Sequence, residues 1–354
     1  LAVLPDQVTR FGPGVGGQDF LLGFIRFRHH VIIFQNGRGV GTLARMGAMA
    51  DPSRRAFLQT LGAGGVAAVA APVSAQRQAV TAPALWTQEY WAQKGAVRLY
   101  MFRKRREAPK AGEAARPVLF LVHGSSNSGR STFDLTVPGR GEYSMMNVFA
   151  RQGFDVWTMD FESYGRSTRA DGNSNVAEGV RDLQAASEVV MRETRQARPH
   201  FFGESSGALR AAAFAAAHPD RVGRLILAAY TYTGEGSSTL TERAKQVEFY
   251  RANNRRPRDR EMIRSIFTRD RPGTADPAVA DALADVELPF GDSVPTGTYL
   301  DMTANLPVVE PEKVLAPVLL VRGEYDGIAT EEDIVNFFKK LGNRDKQLIV
   351  LPGM

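Results

Sequence analysis

Residues 199–218 read Pro199-His-Phe-Phe-Gly203-Glu204-Ser205-Ser206-Gly207-Ala-Leu-Arg-Ala-Ala-Ala-Phe-Ala-Ala-Ala-His218. A short apolar run leads into G-x-S-x-G, and an alanine-rich helical run leads out. That strand–turn–helix context gives the five-residue pattern its meaning. A turn this tight holds its serine in strained backbone geometry, with the side chain raised above the sheet. Gly203 and Gly207 lie two residues either side of Ser205, where the chain closes on itself and side chains would clash. The Ser206 N–H, at the start of the helix, faces the same spot and can stabilise an oxyanion. Ser205 is therefore the candidate nucleophile.

Upstream, Pro117–Val122 is a continuous apolar run, expected of a strand buried on both faces. It ends in His123-Gly124-Ser125-Ser126-Asn127-Ser128-Gly129, a loop suited to presenting backbone N–H groups. The second oxyanion donor is expected from the Ser125 N–H. His123 reads as a structural residue beneath that loop rather than a catalytic one. Residues 84–105 read as two strands, Met146–Gln152 as a short helix, and Gly153–Asp160 as a strand entering a turn-rich loop through Ser167. Asn175–Arg195 is an amphipathic helix with Val176, Val180, Leu183 and Val190 on one stripe, and Arg224–Tyr230 is another buried strand. Strands and helices alternating in this way predict an α/β fold, with a mostly parallel sheet covered on both faces.

Residues 233–316 break the alternation. Leu240–Ala252, Asp259–Phe267 and Pro277–Val286 read as helices with no strand between them, an inserted helical lid above the strand ends. The segment is rich in arginine: Arg251, Arg255, Arg256, Arg258, Arg260, Arg264, Arg269 and Arg271. An anionic substrate would explain them; a solvated helical surface is the preferred explanation. The sheet resumes at Val318–Val321 and enters Arg322-Gly323-Glu324-Tyr325-Asp326-Gly327. Asp326 is the candidate acid, with Glu324 as the local alternative. Thr330–Leu341 is a helix with Glu331 and Glu332 at its positive end and Lys339 and Lys340 at its negative end. Gln347–Leu351 is a last strand.

The net charge of +6 is uneven. Residues 1–75 hold seven Arg and three Asp, which leaves +2 for the rest and no general case for nucleic-acid binding. The absence of cysteine excludes disulfides, thiolate catalysis and thiolate metal sites. Residues 49–75 contain Ser53-Arg54-Arg55-Ala56-Phe57-Leu58, a small weakly apolar run and Ser74-Ala75. This resembles a twin-arginine export signal cleaved after Ala75, implying the export machinery as a partner and a periplasmic or secreted location. No stable membrane anchor is expected. Residues 1–48 are then an upstream translation or an unusual extension outside the fold.

Taken together, His123-Gly124, Asp160…Gly165-Arg166-Ser167, Gly203–Gly207, Pro219-Asp220-Arg221-Val222 and Gly323…Asp326 resemble the α/β-hydrolase superfamily across 84–354. Ser163 departs from the glycine its relatives carry there. The resemblance implies Ser205 as nucleophile, Asp326 as orienting acid, and the Ser125 and Ser206 amides as oxyanion hole, with no metal or organic cofactor. It divides the chain into 76–232 (first part of the core), 233–316 (lid) and 317–354 (second part). In this superfamily the base is a histidine on the loop after the last strand. His29, His30, His123, His200 and His218 do not fill that role, so the histidine is expected just after Met354. The function implied is hydrolysis of a small-molecule carboxylic ester through an acyl-enzyme. Carbon–carbon or amide bond hydrolysis on the same site, and an inactive ligand-binding relative, stay open.

Overall fold

The computed structural model describes residues 84–354 and, before them, two short strands, β1 (Phe20–Gly23) and β2 (Ile33–Asn36), which pair with each other. The expectations for residues 1–48 and for the export signal at 49–75 otherwise lie outside the described residues.

From residue 84 the chain builds one eight-stranded sheet. Its strands are β3 (Trp86–Lys94), β4 (Val97–Arg105), β5 (Val118–Val122), β6 (Asp155–Met159), β7 (His200–Glu204), β8 (Leu225–Ala228), β11 (Val318–Gly323) and β12 (Lys346–Leu351). They lie in the order β12-β11-β8-β7-β5-β6-β4-β3. Pairings β3–β4 and β4–β6 are antiparallel, and the rest are parallel. This is the doubly covered, mostly parallel sheet of an α/β-hydrolase. All five residues of β5, and all five of β6, are buried, as the unbroken apolar run Val-Leu-Phe-Leu-Val requires when helices cover both faces.

The core helices are α1 (Gly129–Phe133), α2 (Met145–Arg151), α3 (Val176–Thr194), α4 (Ser206–Ala217) and, beyond the lid, α10 (Glu331–Lys340). Helix α3 begins where the Asn175 side chain accepts the Glu178 N–H and ends at Arg195 in the left-handed region. Helix α4 is alanine-rich because little room separates it from the sheet and from α3: Ala208, Ala211, Ala212 and Ala215 are all buried. In α10 the acidic first turn and basic last turn stand where the sequence put them. Its Asp333 also accepts the backbone N–H groups of Tyr232, Thr233 and Gly234, anchoring the chain as it leaves β8 for the lid.

Between β8 and β11 lie α5 (Ser238–Ala244), α6 (Val247–Ala252), α7 (Arg260–Thr268), α8 (Pro277–Glu287) and α9 (Gly297–Ala304). Two expectations need correction. The segment is not free of strands: β9 (Arg255–Pro257) pairs antiparallel with β10 (Ser293–Pro295). The helix expected over Leu240–Ala252 is broken at Lys245-Gln246. Helices α1 and α9 were unmarked in the sequence, since five and eight residues give too little periodicity to read. Ile263, Val279 and Leu283 form a second, smaller core with Leu135 and Val137.

On the antiparallel side, the Arg103 guanidinium grips Asp155 at 2.8 and 2.5 Å, and Arg105 approaches the same carboxylate at 3.4 Å. These side chains are only 2–3% exposed. Removing the carboxylate strands the buried Arg103 guanidinium, while Arg105 keeps Glu113. Asp155→Ala is expected to cost about 3–5 kcal/mol in urea-induced unfolding; a loss below about 1 kcal/mol would show that the pair does not hold this edge of the sheet.

Candidate active site

Ser205 sits between the last residue of β7 and the first of α4, with φ +51° and ψ −127°. A non-glycine residue held there is strained. The strain is fixed from both sides. The Ser205 N–H donates to the Ala228 carbonyl at 2.9 Å, and its carbonyl accepts from Ala208 N at 2.9 Å. A Cβ on Gly203 would lie 2.5 Å from the Gly207 carbonyl oxygen, as the closing turn demands. A Cβ on Gly207 would instead lie 2.3 Å from Val122 O and 2.4 Å from His123 O. The second glycine is therefore required by the end of β5 rather than by Gly203, which refines the reason read from the sequence.

That close approach brings the loop after β5 to the serine. A Cβ placed on Gly124 would lie 3.5 Å from Ser205 Cβ and 3.9 Å from its Oγ. The two residues expected to supply oxyanion amides are joined through their side chains: Ser125 Oγ donates to Ser206 Oγ at 2.7 Å. Both are buried. Tyr164 OH donates to the Ser125 carbonyl at 2.9 Å, and Thr298 Oγ1 donates to Ser125 Oγ at 2.8 Å.

His123 is fully buried beneath this loop. Its Nε2 accepts the Phe161 N–H at 3.1 Å, so Nδ1 carries the proton and faces Gly124 O at 2.8 Å. Burial, and then the Arg210 charge, push its pKa down to about 3. A neutral imidazole with both nitrogens engaged is a strut. His200 opens β7 beside Gly223, and His218 follows the far end of α4, packed on Phe214. Among the described residues no histidine hydrogen-bonds Ser205.

The acid loop after β11 separates the two candidate carboxylates. Asp326 Oδ1 accepts the Ile328 and Ala329 N–H groups at 2.9 and 3.1 Å. Burial pushes its carboxyl above the usual range, those amides pull it back, and the Asp270 charge adds to the rise. Glu324 is exposed and accepts the Gly353 N–H at 2.7 Å. The Tyr325 N–H donates to Met354 O at 2.7 Å. The two residues thus do different work: Asp326 shapes its own loop, while Glu324 fastens the segment after β12 to it. Burial also drives Glu204, the residue before Ser205, up to about 7.

The lid arginines divide. Arg251, Arg260 and Arg264 are more than a third exposed and pair with Glu248, Asp285 and Asp281, the solvated surface the sequence suggested. Arg258 does not. It is 2% exposed and pairs at 2.6 Å with Glu287, itself fully buried. Glu287 accepts Ser128 N and Ser128 Oγ at 3.1 and 2.8 Å, and Arg258 donates to Ser126 O at 3.1 Å. This clamp holds the loop after β5; nothing in the spacing of Arg258 and Glu287 marked it. Elsewhere Glu162, Glu178 and Asp182 gather around Lys94, their counterion. Among the described residues no helix is long and apolar enough to cross a membrane.

The serine on its elbow, flanked by the β5 loop and faced by an inserted lid, agrees with sequence comparison. The profile of the family described as serine aminopeptidase, S33, matches residues 113–354. The chain belongs to that family, and so to the α/β-hydrolases. A 2-hydroxy-6-oxononadienedioate/2-hydroxy-6-oxononatrienedioate hydrolase of Paraburkholderia phymatum is 32% identical over 123 residues, 32% of this chain and 36% of that protein. The match thus spans about a third of the curated relative's length. Among solved structures, the enol-lactonase from Burkholderia xenovorans LB400 superposes with TM-score 0.51 at 17% identity, covering 74% of this chain and 91% of that one. A hydrolase from Pseudomonas aeruginosa PA01 gives TM-score 0.53 at 18% identity, covering 74% and 89%. These likenesses show the shared fold.

Two consequences are measurable. Gly207→Ala drives a methyl into two β5 carbonyls, so the protein should lose about 3 kcal/mol of stability or fail to fold; a normally folded variant with unchanged urea midpoint would mean the elbow is not packed this way. The folded state keeps His123 neutral down to about pH 3, against an ordinary value of 6.5. Its contribution is therefore complete above about pH 6.5 and is lost on acidification, at about 1.4 kcal/mol per pH unit. His123→Asn should make the unfolding free energy fall less steeply from about pH 6 to pH 4.5 by that slope; an unchanged slope contradicts the buried neutral ring.

Proposed function

We propose that this hydrolase cleaves a carboxylic ester through an acyl-enzyme on Ser205. The observation that carries the reading is the strained elbow, which sets the Ser205 hydroxyl beside the Gly124–Ser125 loop. Ser205 attacks the carbonyl, and the Ser125 and Ser206 backbone N–H groups stabilise the tetrahedral oxyanion. An imidazole, which the superfamily carries on the loop after its last strand, takes the serine proton and returns it to the leaving alcohol. Asp326 orients that imidazole, since the segment after β12 is fastened to the acid loop by Glu324 and Tyr325. Water then hydrolyses the acyl-enzyme by the same route in reverse. Residues 233–316 act as the lid, and residues 49–75 as a twin-arginine signal that delivers the enzyme to the periplasm or beyond.

Two relatives favour a second reading on the same site. The curated relative is named for a 6-oxo acid, which suggests hydrolysis of a carbon–carbon bond beside a ketone; the family description suggests amide cleavage. A panel of 4-nitrophenyl esters, amino-acid anilides and vinylogous 1,5-diketones separates these from an inactive ligand binder. Ester turnover is expected to dominate, and Ser205→Ala is expected to lower it by about 10³-fold or more. Turnover of the ketones or anilides alone would replace the ester reading. Ester turnover that survives Ser205→Ala would end the acyl-enzyme mechanism.

A further inference from the structure

Two of the lid arginines, Arg243 and Arg256, converge on one tyrosine ring. Helix α5 starts at the acid loop, where Ser237 Oγ donates to Gly327 O at 2.8 Å. It carries Arg243 toward Tyr299 on α9. The Arg243 guanidinium lies 5.1 Å from the Tyr299 ring centroid, and that of Arg256, on β9, lies 4.7 Å from the same centroid. Among the described residues neither guanidinium makes a hydrogen bond or an ion pair. The acidic group by the start of α5, Asp270, is already taken by Arg269 and Thr239. Burial, and then the Arg269 and Arg256 charges, hold the Arg243 pKa below the usual guanidinium value, although Tyr299 and Tyr250 oppose them. Arginine stays charged regardless. A half-buried cation faced by other cations and neutral rings is placed to accept an anion.

The position of this pair gives it meaning. Tyr299 OH is 2.9 Å from Ser126 Oγ, next to Ser125 of the oxyanion loop. Through Tyr299 the pair therefore adjoins the loop after β5. Arg256 also lines an open cleft of about 510 Å³ with Gln246, Phe249, Pro257, Asp259 and Met262; the Asp259 carboxylate there is engaged as the cap of α7, accepting the Met262 N–H. We propose that Arg243 and Arg256 form an anion subsite that binds a carboxylate on the substrate, set back from the bond that is cut. Two guanidiniums can share the two carboxylate oxygens through charge-assisted hydrogen bonds. The proposal deepens the ester reading above and, for its catalytic part, rests on it.

The test has two independent arms. In the first, glutarate binding to the Ser205→Ala protein is measured by calorimetry, with no turnover involved. The protein is expected to bind glutarate, and Arg243→Gln and Arg256→Gln each to weaken binding by about tenfold or more. Absence of binding, or equal binding by the variants, overturns the subsite whatever the chemistry at Ser205. In the second arm, kcat/KM is compared for mono-4-nitrophenyl glutarate and the neutral 4-nitrophenyl pentanoate. The charged-to-neutral ratio is expected to fall about tenfold in Arg243→Gln and to stay unchanged in Arg264→Gln, whose guanidinium is paired on the lid surface. An unchanged ratio in Arg243→Gln overturns the subsite. Glutarate bound normally with neither ester hydrolysed leaves the subsite standing and removes the ester reading instead.

Discussion

Everything at the site depends on one residue held out of its preferred backbone region. Ser205 keeps φ +51° because β8 takes its N–H, α4 takes its carbonyl, and the end of β5 leaves no space for a side chain at residue 207. Strain of about 1–3 kcal/mol at one residue persists only where the surroundings over-determine it. Here three strands and a helix do so. The same crowding that requires Gly207 draws the β5 loop across the serine, so Ser205 and that loop are placed by a single packing constraint.

The lid is as much scaffold as cover. Thr298 and Tyr299 reach Ser125 and Ser126 from α9, while Arg258 and Glu287 hold Ser126 and Ser128 from β9's end and α8. Buried ion pairs contribute little net stability, but breaking one is expensive. Their value here lies in fixing loop geometry. The lid arginines therefore differ: some solvate its outer face, one braces the loop after β5, and two converge on Tyr299.

Much of this was legible in the sequence. The elbow, the continuous apolar strands and the order of motifs fix the α/β sheet, because strand burial and tight-turn glycines are local signals. The expected helix limits fall within about a residue or two for α2, α3, α7 and α8. What escaped reading is long-range. Asp333 drew no reading beside Glu331 and Glu332, yet it binds three backbone amides about a hundred residues earlier in the chain. Arg258 looked like a surface charge, its partner Glu287 drew no reading, and β9–β10 is too short to show a period. Asp326 and Glu324 could not be told apart by spacing; their amide partners assign them different structural tasks.

The central claim is that Ser205 is the nucleophile. A fluorophosphonate, reacted with the protein in the presence of added imidazole and mapped by peptide mass spectrometry, tests it most directly. The account predicts one adduct per chain on the peptide containing Ser205, and none with Ser205→Ala. An adduct on another residue, or labelling that survives Ser205→Ala, would contradict it.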